Sequence, residues 1–360
     1  MLPKIENDTD FVAEPHLLAD KDGEKLCAIV KATFELCDGP PRGADGSFVI
    51  APKARRRRCR GADVPWGEEK KSSILLPSDL CLRKPATDVI VVAAAHAPGG
   101  EAVPSFDAGV RLGKVSKVVR VTGTRVWVHE GDALTEPQPV KSLEMRYDWA
   151  FGGADDSDPQ KLVEDGRNPV GLGVRANLAT LDRSRAPQIE DPLDPIATAR
   201  SRPRPAGLSA IGRQWEPRRK YWGTYDADWL ENRAPLLPAD FDDRANQAAT
   251  PELVHSPHLR GGEEGALTNL TPGGGTIAFV LPRIHLGLTF RVRDEKAVPF
   301  TPAIDTVILD TLLIPREKAE DGSLTGPPVC KLVVELVYRA YIVAPRRLAD
   351  ATIVVEEKRR

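Results

Sequence analysis

Apolar positions along the chain form two blocks of strand-like runs separated by a long stretch where the pattern breaks down. In the first block, residues 25–36 (KLCAIVKATFEL) form a long apolar-rich run, closed by the turn chemistry of Asp38-Gly39-Pro40-Pro41. Residues 89–95 (VIVVAAA) make a short continuous apolar run, the pattern of a strand buried on both faces. Residues 103–112, 117–121 and 125–129 follow as further strands. Gly123-Thr124 separates residues 118–122 from residues 125–129, the spacing of a β-hairpin. The last block contains strand-like runs at 276–281, 284–292, 306–314 and 331–344, with loops at 271–275 (TPGGG) and 321–328 (DGSLTGPP). In the final run, Lys331, Glu335 and Arg339 recur every fourth residue, which suits a helix, but the Val and Tyr content favours a strand.

Between the blocks, strand signals almost vanish. Pro187, Pro192, Pro195, Pro203 and Pro205 exclude a regular helix or central strand there. The same stretch holds Trp215, Tyr221, Trp222, Tyr225 and Trp229, and aromatics this dense predict an ordered segment laid on a surface. Residues 226–233 (DADWLENR) can form a short helix with acidic residues in its first turn, and 239–249 a second. The expected fold is mainly β: sandwich or barrel-like sheets with long irregular insertions and a few short helices. Three parts follow: a strand-rich part at 1–153, an irregular aromatic and Pro-rich part at 154–257, and a strand-rich part at 258–360. The first and last are expected to pack as one continuous body, two separable domains being the other arrangement.

Composition narrows the function. The 32 prolines and 29 glycines favour short strands and loops over helices. Fifty basic against 52 acidic residues leave a net charge of -2, so no global field favours nucleic acid or an anionic membrane. The run Arg55–Arg58, continued by Arg60, is the local exception and reads as a solvated edge strand or loop. Five cysteines (Cys27, Cys37, Cys59, Cys81 and Cys330), odd in number and without a CxxC pair, point to a reducing compartment, with Cys27 and Cys330 as inert core residues. Residues 1–10 lack a basic segment followed by an apolar one, so no secretory signal is expected, and no run is long enough to span a bilayer. The expected location is the cytoplasm.

Candidate chemistry is sparse. Residues 171–176 (GLGVRA) fit GxGxxA, but turn residues precede them where the dinucleotide fingerprint needs a strand. His255 and His258 flank Pro257 and cannot share one helix face; Glu263 or Glu264 would be the nearest third ligand. His16, His96, His129 and His285 are single residues in strand-like contexts. No GxSxG elbow is present. Asp226, Asp228, Asp240, Asp242 and Asp243 lie among aromatics as in sugar-processing clefts, although Asp commonly caps short helices and turns. No catalytic residue, cofactor or metal ligand is assigned.

An ordered series of segments carries more. Residues 84–98 (KPATDVIVVAAAHAP), 147–153 (YDWAFGG), 168–173 (NPVGLG), 215–229 (WEPRRKYWGTYDADW), 233–242 (RAPLLPADFD), 259–263 (LRGGE), 269–272 (NLTP) and 304–307 (IDTV) together resemble the bacterial family catalogued as domain of unknown function 2169. The resemblance covers about residues 25–343, with one extra glycine in LRGGE relative to the usual pattern. That family is associated with type VI secretion. The resemblance implies a non-enzymatic cytoplasmic adaptor or chaperone that helps load a secreted effector onto the valine-glycine-repeat spike protein, and it implies no catalytic residue. Trp215, Arg218, Trp222, Tyr225 and Trp229 are the candidate partner-binding residues, since aromatics and Arg dominate protein-binding hot spots. The competing reading is that these aromatics plug the fold's own core. Two further functions stay open: a carbohydrate- or peptide-processing hydrolase using Asp226 and Asp240, and a structural component of the secretion apparatus.

Overall fold

The computed structural model describes residues 3–36, 48–157, 160, 162–314, 316–318 and 324–358. Cys37 and the turn at 38–41 lie outside them. Sixteen strands build the three larger sheets. In the N-terminal half these are β1 (Lys4–Asn7), β2 (Val12–Asp20), β3 (Gly23–Leu36), β4 (Phe48–Ile50), β5 (Thr87–Val92), β6 (Ser105–Leu112) and β7 (Val115–Thr122). Among these sixteen, the middle contributes the short β8 (Ile189–Glu190) and β9 (Val254–His255). Then come β10 (Glu264–Thr268), β11 (Thr276–Val280), β12 (Leu286–Val292), β13 (Val298–Phe300), β14 (Ile304–Asp310), β15 (Leu332–Val343) and β16 (Ala351–Glu357). Among the described residues the only α-helix is α1 (Ala227–Asn232), and no helix is long and apolar enough to cross a membrane.

The fold is mainly β, built on three sheets. A seven-stranded sheet runs β9-β5-β14-β15-β3-β2, with β4 also paired to β3. Its centre joins the two ends of the sequence, since β3 pairs antiparallel with β15 over twelve positions from Leu36–Leu332 to Lys25–Val343. A five-stranded sheet runs β8-β7-β6-β10-β11 and a four-stranded one β1-β16-β12-β13. One core cluster draws side chains from all three, including Val30, Phe34, Val91, Val110, Leu267, Phe290 and Ile353. A smaller cluster around Trp127, Phe151, Val174 and Leu181 sits apart from it.

The long runs lack polar alternation because both faces of the seven-stranded sheet are covered. On β3, Leu26, Ala28, Val30, Ala32 and Phe34 enter the main core. The intervening Cys27, Ile29, Lys31, Thr33 and Glu35 point the other way and are also buried. On β15 the same second face carries Glu335 and Arg339. Charges four apart lie on one face of a strand as well as of a helix, because four is a multiple of the strand period. The strand assignment from Val and Tyr content therefore holds.

The arginine run is the lid on this face. It begins as a short 3-10 turn (Lys53–Arg55) and continues as loop, but most of its side chains are drawn to carboxylates and not into solvent. Arg55 grips Glu35 with two hydrogen bonds of 2.7 and 2.8 Å. Arg57 reaches Asp310 at 3.0 Å. Arg60 reaches Glu335 at 2.9 Å. Lys31, fully buried, lies 2.5 Å from Asp79 and 3.1 Å from Glu335. Arg58 stays out in water, with 84% of its side chain exposed. The expected solvated run is thus a loop whose cations are mostly spent on buried carboxylates, because covering a sheet face that carries carboxylates demands cations.

The hairpin expected at Gly123-Thr124 is displaced. β7 pairs with β6 through the two-residue turn Gly113-Lys114, from Val115–Leu112 to Thr122–Ser105, with Gly113 at φ +56°. Residues 127–128 pair instead with 133–134. Gly123 is small for another reason: a Cβ there would come within 1.6 Å of the Gln138 carbonyl oxygen. The second expected helix, at 239–249, is reduced to one 3-10 turn (Asp243–Asn246).

Two segments of the family resemblance, 147–153 and 168–173, close on each other. Asn168, fully buried, donates from Nδ2 to the carbonyls of Tyr147 (2.9 Å) and Phe151 (3.0 Å). Its own carbonyl accepts from Gly153 N at 2.7 Å. Gly152 sits at φ +146°, and a Cβ there would lie 2.2 Å from the Asn168 carbonyl oxygen. Gly152→Ala is expected to cost on the order of 2–3 kcal/mol from backbone strain and overlap. A urea denaturation curve unchanged from wild type would refute this.

Candidate functional site

The central segment winds across the rim of the seven-stranded sheet, and its aromatics are not equivalent. Trp215 is 6% exposed. It packs edge-on to the buried Tyr147, with ring centroids 5.6 Å apart and planes at 90°. Arg218, also buried, donates to the carbonyls of Ala245 (3.1 Å) and Ile211 (2.6 Å). Burial lowers its pKa to about 10, the charges of Asp63 and Asp88 offsetting this only in part. At neutral pH it remains a cation that pins two backbone turns together. Trp222 is half-buried: its indole donates to the Arg213 carbonyl at 3.0 Å, its ring meets Phe241, and the Arg213 guanidinium lies over it.

The remaining two belong to the surface. Tyr225 is 50% exposed and meets half-buried Trp229 edge to face, centroids 4.7 Å apart. Asp226 caps α1 by accepting from Trp229 N at 2.9 Å, and the Trp229 indole donates to the Leu236 carbonyl at 2.9 Å. The same helix presents Leu230, 68% exposed. Leu237 N binds the Asp20 carbonyl and Arg233 the Lys21 carbonyl, which fasten this knob to the β2–β3 turn. The five sequence candidates therefore divide. Trp215 and Arg218 are almost wholly buried, Trp222 and Trp229 are half-buried, and Tyr225 is exposed. Leu230 was missed, because a lone leucine in a six-residue helix has no sequence mark of exposure.

Earlier on the same segment, Tyr221 lies under the Arg244 guanidinium, 4.2 Å from ring centroid to charge. Arg218, Lys220, Tyr221 and Arg244 line one wall of a shallow cavity of about 350 Å³. Its charged lining is basic.

The carboxylates read as possible catalysts all have structural partners. Asp228 accepts from Asn232 at 2.8 Å. Asp240 accepts from both the backbone N and the hydroxyl of Thr224 (3.0 and 2.8 Å). Asp243 pairs with Arg83. The Arg244 guanidinium, hydrogen-bonded to Asp242, holds that carboxyl at about 2. The histidines near residue 257 are similarly occupied, His255 Nδ1 lying 2.7 Å from the Pro257 carbonyl and His258 Nε2 3.0 Å from the Lys84 carbonyl. Residues 171–176 include a two-residue strand paired to Phe151–Gly152 and lead into a 3-10 turn (Leu178–Leu181), without the helix a dinucleotide would need.

No curated protein and no solved structure matches the chain significantly. A family model does, over residues 21–317, and its description is an uncharacterized protein conserved in bacteria. The ordered segments at 84–98, 147–153, 168–173, 215–242, 259–272 and 304–307 all fall within that span, and the chain belongs to the family of domain of unknown function 2169.

Proposed function

We propose that this chain is a non-enzymatic cytoplasmic adaptor that holds a type VI secretion effector and helps load it onto the valine-glycine-repeat spike protein. The secretion link comes from the resemblance. The observation in the molecule that supports a binding role is the apolar knob of Tyr225, Trp229 and Leu230, held out on a capped helix. Rigid aromatics beside an exposed leucine supply contact area at low entropic cost, the composition of binding hot spots. Lys220, on the same segment, suits an acidic rim on the partner, Arg244 being already paired to Asp242. A hydrolase acting through Asp226 or Asp240 fits less well, because both carboxylates are committed to caps and turns.

The test is co-purification of the untagged effector and spike protein with the tagged chain from native cells. A stoichiometric complex is expected. Tyr225→Ala combined with Leu230→Asp should weaken effector capture about tenfold or more while the melting temperature stays within a few degrees. Capture unchanged in that variant would remove the knob from the interface, and turnover of a defined substrate lost in Asp240→Asn would replace the adaptor with an enzyme.

A further inference from the structure

The rim of the second sheet face carries chemistry that effector binding does not use. Glu14 and His16 stand two residues apart on β2 and so project from the same face. Cys59, from the arginine loop, comes down over them. The Glu14 carboxylate, His16 imidazole and Cys59 thiol place one ligand atom each within 4.8 Å of one another. His16 Nε2 is buried without a hydrogen-bond partner and lies 3.9 Å from Glu14 Oε2. Burial lowers the His16 pKa against the opposing charges of Glu14 and Asp79, leaving a neutral ring, the form that ligates metals.

We propose that Glu14, His16 and Cys59 form a zinc site that clips the arginine loop to the edge of the seven-stranded sheet, with water as the fourth ligand. A thiolate, an imidazole and a carboxylate make a borderline-soft donor set, which suits Zn²⁺ and not Mg²⁺ or Ca²⁺. Drawing the three atoms onto one ion requires them to close by about 1 Å. Glu14 and His16 are each roughly a fifth exposed, and Cys59 is a half-buried loop residue at the margin of the cluster formed by Cys27, Ile29, Leu82 and Val337, so the movement is a shift of side chains and loop at the rim of that cluster. The Arg58 guanidinium, 3.4 Å from Glu14, would swing into the water that already surrounds it. Lys31 and Arg339 also face Cys59, but Lys31 is neutralised by Asp79 and Glu335 and Arg339 by Asp305. Burial pushes the Cys59 thiol up to about 12, so metal capture releases its proton to solvent as the Zn–S bond forms. The clip would hold the segment that delivers Arg55, Arg57 and Arg60 to their carboxylates.

The experiment uses the reduced, chelator-stripped full chain without a histidine tag. Zinc is expected to bind at one equivalent, survive desalting and raise the melting temperature, while Mg²⁺ and Ca²⁺ do not. Co²⁺ should give a thiolate charge-transfer band. Cys59→Ser and His16→Ala should each weaken zinc binding by about tenfold or more, and Cys59→Ser should abolish the band. Absence of stoichiometric zinc on the wild-type chain, or binding unchanged in both variants, overturns the site. If Cys59→Ser fails to fold, the wild-type cobalt spectrum and His16→Ala decide the matter alone.

Discussion

Replacing Glu335 by Gln is expected to cost about 3–5 kcal/mol of folding stability, measured as the loss of urea midpoint at constant slope. Glu335 is fully buried on β15. Its Oε2 lies 3.1 Å from Lys31 Nζ and 2.9 Å from an Arg60 nitrogen. The glutamine amide has nearly the same shape but no charge, so two cations would be left with Asp79 alone to neutralise them. The effect is a penalty for uncompensated charge and not the worth of the ion pair itself. Replacing the whole group by apolar residues would cost much less.

The same carboxylate makes stability depend on pH. Burial by itself would raise the Glu335 pKa, but Lys31, Arg60 and Arg57 overcome it and hold the group at about 2, against 4.5 for a free glutamate. Because the folded value is the lower, the contribution is complete above pH 4.5 and is lost as pH falls towards 2. Glu335→Gln should therefore flatten the acid limb of the stability curve as well as lower its plateau. Asp310 works in the opposite sense: burial raises its pKa against the pull of the Leu313 and Leu312 amides and of Arg57, so its protonation in mild acid favours the folded state. An acid limb of unchanged slope in the variant would show that Glu335 does not titrate with folding.

Trp215→Ala is expected to lose about 3–5 kcal/mol, whereas Tyr225→Ala should stay within about 1 kcal/mol of wild type. Trp215 fills the space beside Tyr147 and over Gly212, where a Cβ would come within 2.6 Å of its indole nitrogen. No neighbour on the central segment can collapse into the hole, because Arg218 ties the flanking turns to Ala245 and Ile211. Thermal unfolding separates the two variants directly. Equal melting temperatures would mean that the indole at Trp215 is not part of the core.

The long apolar runs at 25–36 and 331–344, the short buried run at 89–95 and the capped helix at 226–233 were legible because each depends on local patterning: strand period, β-branched content, or an Asp one residue ahead of a helix. Density of aromatics set the central segment apart from a plain linker, and Trp215, Trp222 and Trp229 each have ring or hydrogen-bond partners in the fold. Which of its side chains would be buried was a different kind of question, since Trp215 and Trp229 lie in similar polar surroundings in the sequence and differ only in what folds over them.

The residues by themselves determined where the most apolar strands form, though not β1, β2, β10 or β16, that helices are few, and that Glu335 and Arg339 share a face with one another. Tertiary structure decided what each strand pairs with and what neutralises each buried charge. Arg60 and Glu335 are 275 positions apart, and Cys59 reaches Glu14 and His16 only because a loop crosses a sheet edge. Local chemistry fixes the conformation of a few residues at a time, whereas a sheet's second face is completed by whichever distant segment can both cover its apolar atoms and satisfy its charges. No periodicity in the chain encodes that choice.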